Sequence, residues 1–364
     1  MFEYLNLLLT DFTIQTITLG TAIIGLTCGI LGSFAVLRKQ SLLGDAIAHS
    51  ALPGIAIAFI LTGVKDTLLF IIGASLSGII GAIWINSITK NTRLKSDSAL
   101  GIILSVFFGF GIVLLTIIQR KPNANQAGLE RFLFGQAATL VPSDVIVIGI
   151  IGILSLILII IFWKEFKILT FDPQFAKTLG YNIHLLDLLL TSFIVVAIVL
   201  GLQAVGVVLM SALLLAPAAA ARQWSNKLGT MIIISAIFGA LSGIIGTAIS
   251  STNLRLSTGP IIVLIAVTLV LLSFVFSPSR GLLSRQLRYI KNRKSMRLNK
   301  TLQQMLEIVD SHEDFSHPHS IKLLNDLQGF RKKCLKELEN LGLIKIQLNN
   351  WSLTEEGYKK AKSI

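Results

Sequence analysis

The chain has 364 residues, of which 53% are hydrophobic and 14% are charged, and its mean hydropathy is +0.76. A soluble domain carries about 25% charged residues, so the composition excludes a soluble enzyme and indicates an integral membrane protein. The formal net charge of +13 is uneven, because seven basic residues and no acid lie between residues 280 and 297. This segment indicates a positive-inside anchor, and a nucleic-acid contact is the alternative.

Hydrophobic runs long enough to cross a bilayer as helices recur along the chain. They lie near 12–36, 44–62, 67–88, 99–118, 143–163, 186–221, 231–249 and 259–276. The run over 186–221 would form a helix of about 54 Å, which is longer than the hydrocarbon core of about 30 Å. It contains the sequence GLQAVG at 201–206, where we expect it to divide into two helices. The fold class predicted is an all-α polytopic membrane protein with about eight to nine transmembrane helices.

Basic residues in the loops predict the orientation of these spans. Arg38 and Lys39 follow the first span, and Lys90, Arg93 and Lys95 follow the third. With nine spans, they place the N-terminus outside and the C-terminus in the cytoplasm. The loop that contains Arg120, Lys121 and Arg131 disagrees with this orientation.

Two titratable residues, Asp45 and His49, occur inside the second apolar run. A charged side chain at the bilayer centre costs roughly 2.5–3.5 kcal/mol on insertion scales. Residues four apart share a helix face, and an oxygen and a nitrogen ligand together suit manganese, iron or zinc. The alternative is that Gly44 and Asp45 cap the helix. Pro53 and Gly54 follow, and we expect them to break or kink this helix and free backbone carbonyls along a pathway.

The stretch TFDPQFAKTLGYNIHLLD, residues 170–187, lies between the fifth and sixth apolar runs. Asp172 and Pro173 form a helix start signal, and Gly180 forms a stop signal. They predict a short amphipathic helix on the cytoplasmic face, of the kind with which a permease receives force from an ATPase subunit. A plain connecting loop is the alternative.

The chain becomes polar and amphipathic after about residue 297. Helical stripes, an alternating stretch at 344–348 with a turn at Asn349 and Asn350, and a last helix capped by Thr354 predict a small cytoplasmic winged helix-turn-helix domain. The predicted domains are a transmembrane permease domain at 1–280, a basic juxtamembrane linker at 281–297 and a winged-helix domain at 298–364.

The motifs LLGDAIAHSALPG, FDPQFAKTLG and LQAVGVVLMSALLLAPAAAA resemble the signature stretches of the ABC-3 family of manganese, zinc and iron permeases. The resemblance covers about residues 10–280. It implies the membrane subunit of an importer in the bacterial plasma (inner) membrane, which works with a second permease subunit, as a homo- or heterodimer, with ABC ATPase subunits and with a periplasmic metal-binding protein. The resemblance implies a permease subunit rather than an enzyme, with ATP hydrolysis in a separate partner subunit. No Walker motif occurs in the sequence, so this chain is not expected to bind ATP by that route. The divalent ion would be cargo rather than a permanently bound cofactor.

Two sets of site residues carry over from that family. Its intramembrane metal ligands correspond to Asp45 and His49. Its ATPase-coupling helix corresponds to Asp172, Pro173, Phe175, Ala176, Leu179 and Gly180.

The C-terminal stretches LENLGLI and LTEEGYKKA resemble the DNA-binding half of iron- and manganese-dependent repressors. Arg331, Lys332, Lys333 and Lys336 fall at the start of the third predicted helix, where a recognition helix meets the major groove. The alternatives are a solvated basic helix face and a domain that docks on the ATPase.

Two other functions remain open for the whole chain. An ion-coupled secondary transporter would use intramembrane carboxylates as relays, and a membrane-tethered, metal-responsive transcription regulator would use the C-terminal domain. Membrane lipids, and possible DNA at the C-terminal domain, complete the expected partners.

Overall fold

The computed structural model describes residues 11–40, 42–64, 66–120, 135–252, 256–310, 317–325, 332–347 and 349–364. It divides the chain into two compact units, Met1–Gly281 and Leu282–Ile364. The division falls one residue after the end predicted for the membrane domain. Each unit is described by itself.

Nine helices in the described part of the first unit are long and apolar enough to cross a membrane. They are α1 (Phe12–Leu37), α2 (Leu43–Thr62), α3 (Thr67–Asn91), α4 (Ser96–Gln119), α5 (Pro142–Ile161), α8 (Ile183–Val205), α9 (Val207–Trp224), α10 (Leu228–Thr252) and α11 (Thr258–Phe276). Between α5 and α8 lie two short helices, α6 (Trp163–Phe171) and α7 (Pro173–Thr178), and a 3₁₀ turn (Ala137–Thr139) precedes α5. The all-helical polytopic class predicted from the apolar runs is confirmed.

The ends of the helices follow from local chemistry. Asp11 and Asp66 cap α1 and α3, and their carboxylates accept hydrogen bonds from the backbone N–H groups of the first turns. The predicted division of the sixth run is confirmed, but α8 continues past Gly201. It ends at Gly206, whose φ of +87° favours a residue without a Cβ.

Small residues allow the spans to pack at backbone distance, as membrane helices commonly do. A Cβ added to Gly25 of α1 would lie 2.1 Å from the carbonyl oxygen of Gly239 in α10. A Cβ added to Gly54 of α2 would lie 2.1 Å from the carbonyl oxygen of Gly73 in α3. Larger side chains at these contacts would separate the helices that hold the site.

The second unit begins with a long helix and contains a small sheet. Its elements are α12 (Leu282–Val309), β1 (His319–Ser320), α13 (Lys322–Asn325), α14 (Lys332–Asn340), β2 (Ile344–Gln347), β3 (Asn350–Leu353) and α15 (Glu355–Lys362). The strand order is β1-β3-β2 with antiparallel pairing. Leu302, Met305, Leu338, Trp351 and Leu353 lie in its buried core.

Three details of this unit differ from the sequence expectation. Residues 282–297, within the predicted linker, form the first part of α12. The ribbon gains a third strand, because His319 pairs with Trp351. Asn350 pairs with Gln347 in β3 and does not belong to the turn. Thr354 caps α15 as expected, since its hydroxyl accepts from the Gly357 N–H at 3.1 Å.

Candidate functional site

The first turn of α2 holds one of the two titratable residues of the candidate site. The helix begins at Leu43, and Leu42 occupies the N-cap position without a side-chain hydrogen bond. Asp45 therefore lies inside the first turn and is not the cap. Its negative charge near the positive end of the helix dipole is favourable, which helps to keep a carboxylate at this depth.

His49 lies one turn after Asp45 on the same face of α2. Its Nε2 atom is 3.5 Å from Oδ1 of Asp45, and the side chains are 14% and 36% exposed respectively. Two ligand atoms that bind one ion at about 2.1 Å each and at a tetrahedral angle lie about 3.4 Å apart. The pair thus has the spacing of two ligands of one divalent ion.

An aromatic ring packs against the imidazole of His49, while one of the imidazole nitrogens forms no hydrogen bond. The Phe108 ring of α4 contacts the His49 ring edge to face, with 4.8 Å between ring centroids. The buried Nδ1 atom of His49 has no hydrogen-bond partner among the described residues. A neutral imidazole accepts at one nitrogen, so the side chain keeps its capacity to bind a metal ion.

Pro53 affects the same place through the backbone. Pro53 lies inside α2, which runs without a break to Thr62. The helix is therefore not broken at Pro53 and Gly54, which was one of the two expectations from the sequence. Proline has no N–H and cannot donate to the carbonyl four residues earlier, which is that of His49. This carbonyl therefore lacks its usual intrahelical donor.

Helices α3 and α9 pack against α2 at residues next to Asp45 and His49. The hydroxyl of Ser77 in α3 donates to the Ser50 carbonyl oxygen at 2.6 Å. A Cβ at Gly44 would lie 3.5 Å from Cα of Ser211 in α9. Because these contacts involve backbone, a shift of either helix would move Asp45 and His49.

A complete ligand set is not present within one chain, as far as the structure describes it. No group of three or more His, Cys, Asp or Glu side chains is placed to hold a metal ion among the described residues. Asp45 and His49 can supply two ligands, and the remaining coordination positions would have to come from water or another chain.

The segment predicted to couple with an ATPase forms the short helix α7. Asp172 is its N-cap and accepts the Phe175 N–H at 2.9 Å, and Pro173 occupies the first helical position. Gly180 has a φ of +86°. Its N–H donates to Lys177 and that of Tyr181 to Ala176, which is the pattern of a Schellman C-cap. The predicted start and stop signals are confirmed.

The faces of α7 differ in burial. Ala176 is fully buried, whereas Phe175 and Leu179 are each 53% exposed. The helix is therefore anchored through a small residue and presents two large apolar side chains outward. These two side chains are accessible to another protein.

The basic residues predicted to face DNA are only partly visible. Arg331 lies outside the described residues, and Lys332 begins α14. Lys333 and Lys336 are exposed on that helix.

A buried carboxylate at the start of α5 was not predicted. Asp144 is 7% exposed and accepts hydrogen bonds from the Thr67 hydroxyl at 2.6 Å, the Gln203 amide at 3.0 Å and the Val141 N–H at 3.2 Å. Three donors face this carboxylate, so it joins α3, α5 and α8. The signal available in the sequence was one acid and one glutamine near the ends of apolar runs.

Two polar pairs join the start of α8 to the C-terminal ends of α1 and α3. Arg38, which follows α1, pairs with Asp187 of α8, and Lys90 Nζ of α3 lies 2.6 Å from His184 Nδ1. The C-terminal ends of α1 and α3 and the N-terminal end of α8 thus lie together, as alternating spans require.

Comparison with known proteins gives a family for this architecture. The model of the ABC 3 transport family matches residues 10–277. A "Manganese transport system membrane protein MntC" of Bacillus subtilis is 43% identical over 99% of this chain and 83% of that protein. A "Zinc transport system membrane protein TroC" of Treponema pallidum is 49% identical over 76% of this chain and 93% of that protein.

A solved structure agrees with the fold of the membrane unit. It is titled "PsaBC from Streptococcus pneumoniae in complex with Fab", and it superposes with a TM-score of 0.70 at 33% identity. The match covers 80% of this chain and 100% of that one. The Bacillus match extends through the second unit, so that unit has a counterpart in a relative.

Proposed function

Because the chain belongs to the ABC 3 transport family, we propose that it is the membrane subunit of an ATP-driven importer for a divalent ion, Mn²⁺, Zn²⁺ or Fe²⁺. The observation that carries the proposal is the 3.5 Å separation of His49 Nε2 and Asp45 Oδ1 on one face of a spanning helix. The names of the manganese and zinc relatives support this class of cargo. The subunit itself would hydrolyse no ATP.

Asp45 and His49 would form a station that the ion visits during transit. A site on a conduction path must bind strongly enough for entry and weakly enough for release. Two protein ligands with an incomplete shell meet that requirement better than a closed tetrahedral cage, which is typical of structural sites. Water, or the same residues of a second permease subunit, would fill the remaining positions.

Helix α7 would be the contact for an ATPase subunit. Its exposed Phe175 and Leu179 suit insertion into an apolar groove, and its buried Ala176 links it to the membrane unit. The proposed orientation, with the N-terminus outside and the C-terminus in the cytoplasm, places α7 on the cytoplasmic side. A periplasmic metal-binding protein would deliver the ion from the other side.

The second unit would be a winged helix-turn-helix domain, with α14 as the recognition helix and β2-β3 as the wing. The order of α12, α13, α14 and the hairpin supports this proposal. Lys332, Lys333 and Lys336 on α14 would contact phosphates of DNA. Docking of this unit on the ATPase is the competing role, and a membrane-tethered regulator is the related alternative for the whole chain.

The importer and an ion-coupled secondary transporter differ in their energy source. The test reconstitutes the chain in vesicles with its ATPase and metal-binding protein and measures Mn²⁺, Zn²⁺ and Fe²⁺ uptake. Uptake should require ATP on the side of the vesicle membrane where the ATPase subunits are bound. It should persist after the ion gradient is collapsed. Uptake that persists without ATP and stops with the gradient would contradict the importer.

A further inference from the structure

The second unit contains a basic cavity that the transport function does not use. Its volume is about 350 Å³, within the usual range for ligand pockets, and it lies between α12 and α14. The lining residues are Tyr289, Ile290, Arg293, Lys294, Arg297, Lys333, Cys334 and Glu337. Four of these carry positive charge and one carries negative charge.

The single acid is already neutralised. Glu337 of α14 forms an ion pair with Lys294 of α12 at 2.8 Å. Arg293, Arg297 and Lys333 remain as three cations around one open space. The cavity thus suits a phosphate group.

The first half of α12 exposes apolar side chains beside this cavity. The buried residues of α12 are Thr301, Leu302, Met305 and Val309, and Leu298 packs against the same core, so the helix contributes to this core only from Leu298 onward. Large apolar side chains there are exposed: Leu282, Leu283, Leu287, Tyr289 and Ile290. No acid occurs in the chain from residue 282 until Glu307. Basic helices with exposed apolar residues are typical of membrane-surface segments.

We propose that this cavity binds the phosphate of an anionic phospholipid headgroup, while the exposed apolar residues of α12 contact the acyl region. Five residues separate the end of α11 at Phe276 from the start of α12 at Leu282. The six residue steps from Phe276 to Leu282 span at most about 21 Å, so the chain keeps the first residue of α12 within that distance of the end of the last spanning helix.

The same observations disfavour the other phosphate sources. A soluble phosphate would use the cations but would give no role to the apolar side chains on the preceding turns. Duplex DNA would meet a concave site between two helices, whereas a recognition helix inserts a convex surface into the major groove. The inference does not depend on metal transport.

The test measures lipid binding to the full-length chain in detergent by native mass spectrometry. Phosphatidylglycerol is titrated against phosphatidylcholine, and glycerol 1-phosphate and inorganic phosphate are added as competitors. The triple variant Arg293→Gln, Arg297→Gln and Lys333→Gln removes the cavity cations. A matched triple variant, Arg285→Gln, Arg288→Gln and Lys291→Gln, removes the same charge from α12 outside the cavity. Circular dichroism verifies that both variants keep their helix content.

The cavity variant should lose phosphatidylglycerol affinity about tenfold or more, since each basic residue near an anionic surface contributes appreciably. The matched variant should lose less than about threefold if the site is the cavity rather than the overall charge. Equal losses in the two variants would overturn the proposal. Inorganic phosphate or glycerol 1-phosphate binding as tightly as the lipid would also overturn it.

Discussion

At the scale of single residues, the unusual feature is a carboxylate and an imidazole that share one face of a spanning helix. Their 3.5 Å separation is close to the spacing of two ligands on one ion, and a hydrogen-bonded pair would lie nearer, at about 2.7–3.2 Å. Phe108 fixes the ring from one side. The arrangement fits an ion that arrives and leaves better than a permanent ion pair.

Replacing either ligand should stop uptake without unfolding the chain. Asp45→Asn keeps the shape of the side chain but removes the charge, and His49→Ala removes the nitrogen. Both variants should abolish metal uptake in reconstituted vesicles, because the described part of the chain places no third His, Cys, Asp or Glu side chain to compensate for a lost ligand. The melting temperature in detergent should stay near that of the wild type, since both side chains are partly exposed.

Asp97→Asn is the matched control for Asp45→Asn. Asp97 also lies in the first turn of a spanning helix, α4, but it is exposed. It should transport at the wild-type rate. If Asp45→Asn and His49→Ala also transport at that rate, the site assignment is wrong.

At the scale of helices, Asp144 joins three elements through one buried carboxylate. Thr67→Val removes the hydroxyl that donates to Asp144 and keeps the side-chain volume. The expected cost is about 1–3 kcal/mol, because a buried acceptor loses a partner, and the melting temperature should fall by a few degrees. The measurement is thermal unfolding of the full chain in detergent.

Thr268→Val provides the comparison for that substitution. Thr268 is exposed in α11, and its hydroxyl bonds only to the Leu264 carbonyl of its own helix. It should shift the melting temperature by less than Thr67→Val. Equal shifts would mean that Asp144 does not hold α3 to α5 and α8.

Helix α7 allows a second prediction at this scale. Phe175→Ala and Leu179→Ala remove exposed apolar groups, so the stability of the isolated subunit should not change. Association with the ATPase subunit should weaken about tenfold or more for each, as expected for apolar anchors at an interface. Leu185→Ala, at an exposed position near the start of α8, is the control. Unchanged ATPase binding in both α7 variants would exclude α7 as the contact.

Local patterns predicted the elements well, and long-range contacts explain what they missed. The apolar runs located all nine candidate spans, and GLQAVG located the division of the sixth run, because both depend on neighbouring residues. The role of Asp144 depends on Thr67 and Gln203, which are 77 and 59 residues away. The third strand likewise depends on pairing between His319 and Trp351. No local pattern reports such contacts.

At the scale of the whole molecule, the chain combines an apolar unit that carries Asp45 and His49 with a polar unit that carries a separate core. The second unit begins directly after Gly281 with α12. This helix contributes Leu302, Met305 and Val309 to the core of the second unit. The composition change near residue 297 marked this second unit but placed its start inside α12. Basic residues at 285–297 belong to the same helix as that core, which composition alone could not reveal.

The salt dependence of DNA affinity is the most direct test of the proposal that the second unit binds DNA. Phosphate contacts release counterions, so the affinity of the full chain for duplex DNA should fall steeply as salt rises, with a slope of about −0.9 per contact. Lys332→Gln together with Lys333→Gln should reduce that slope by about 2, because both lysines begin the proposed recognition helix. Lys359→Gln together with Lys360→Gln, exposed on α15, should leave it nearly unchanged. Fluorescence anisotropy of a labelled duplex between low and physiological salt measures the slope.

An absence of DNA binding even at low salt, in the full chain and in an artificially dimerised second unit, would favour docking of this unit on the ATPase. The α14 lysines should then affect association with the ATPase instead.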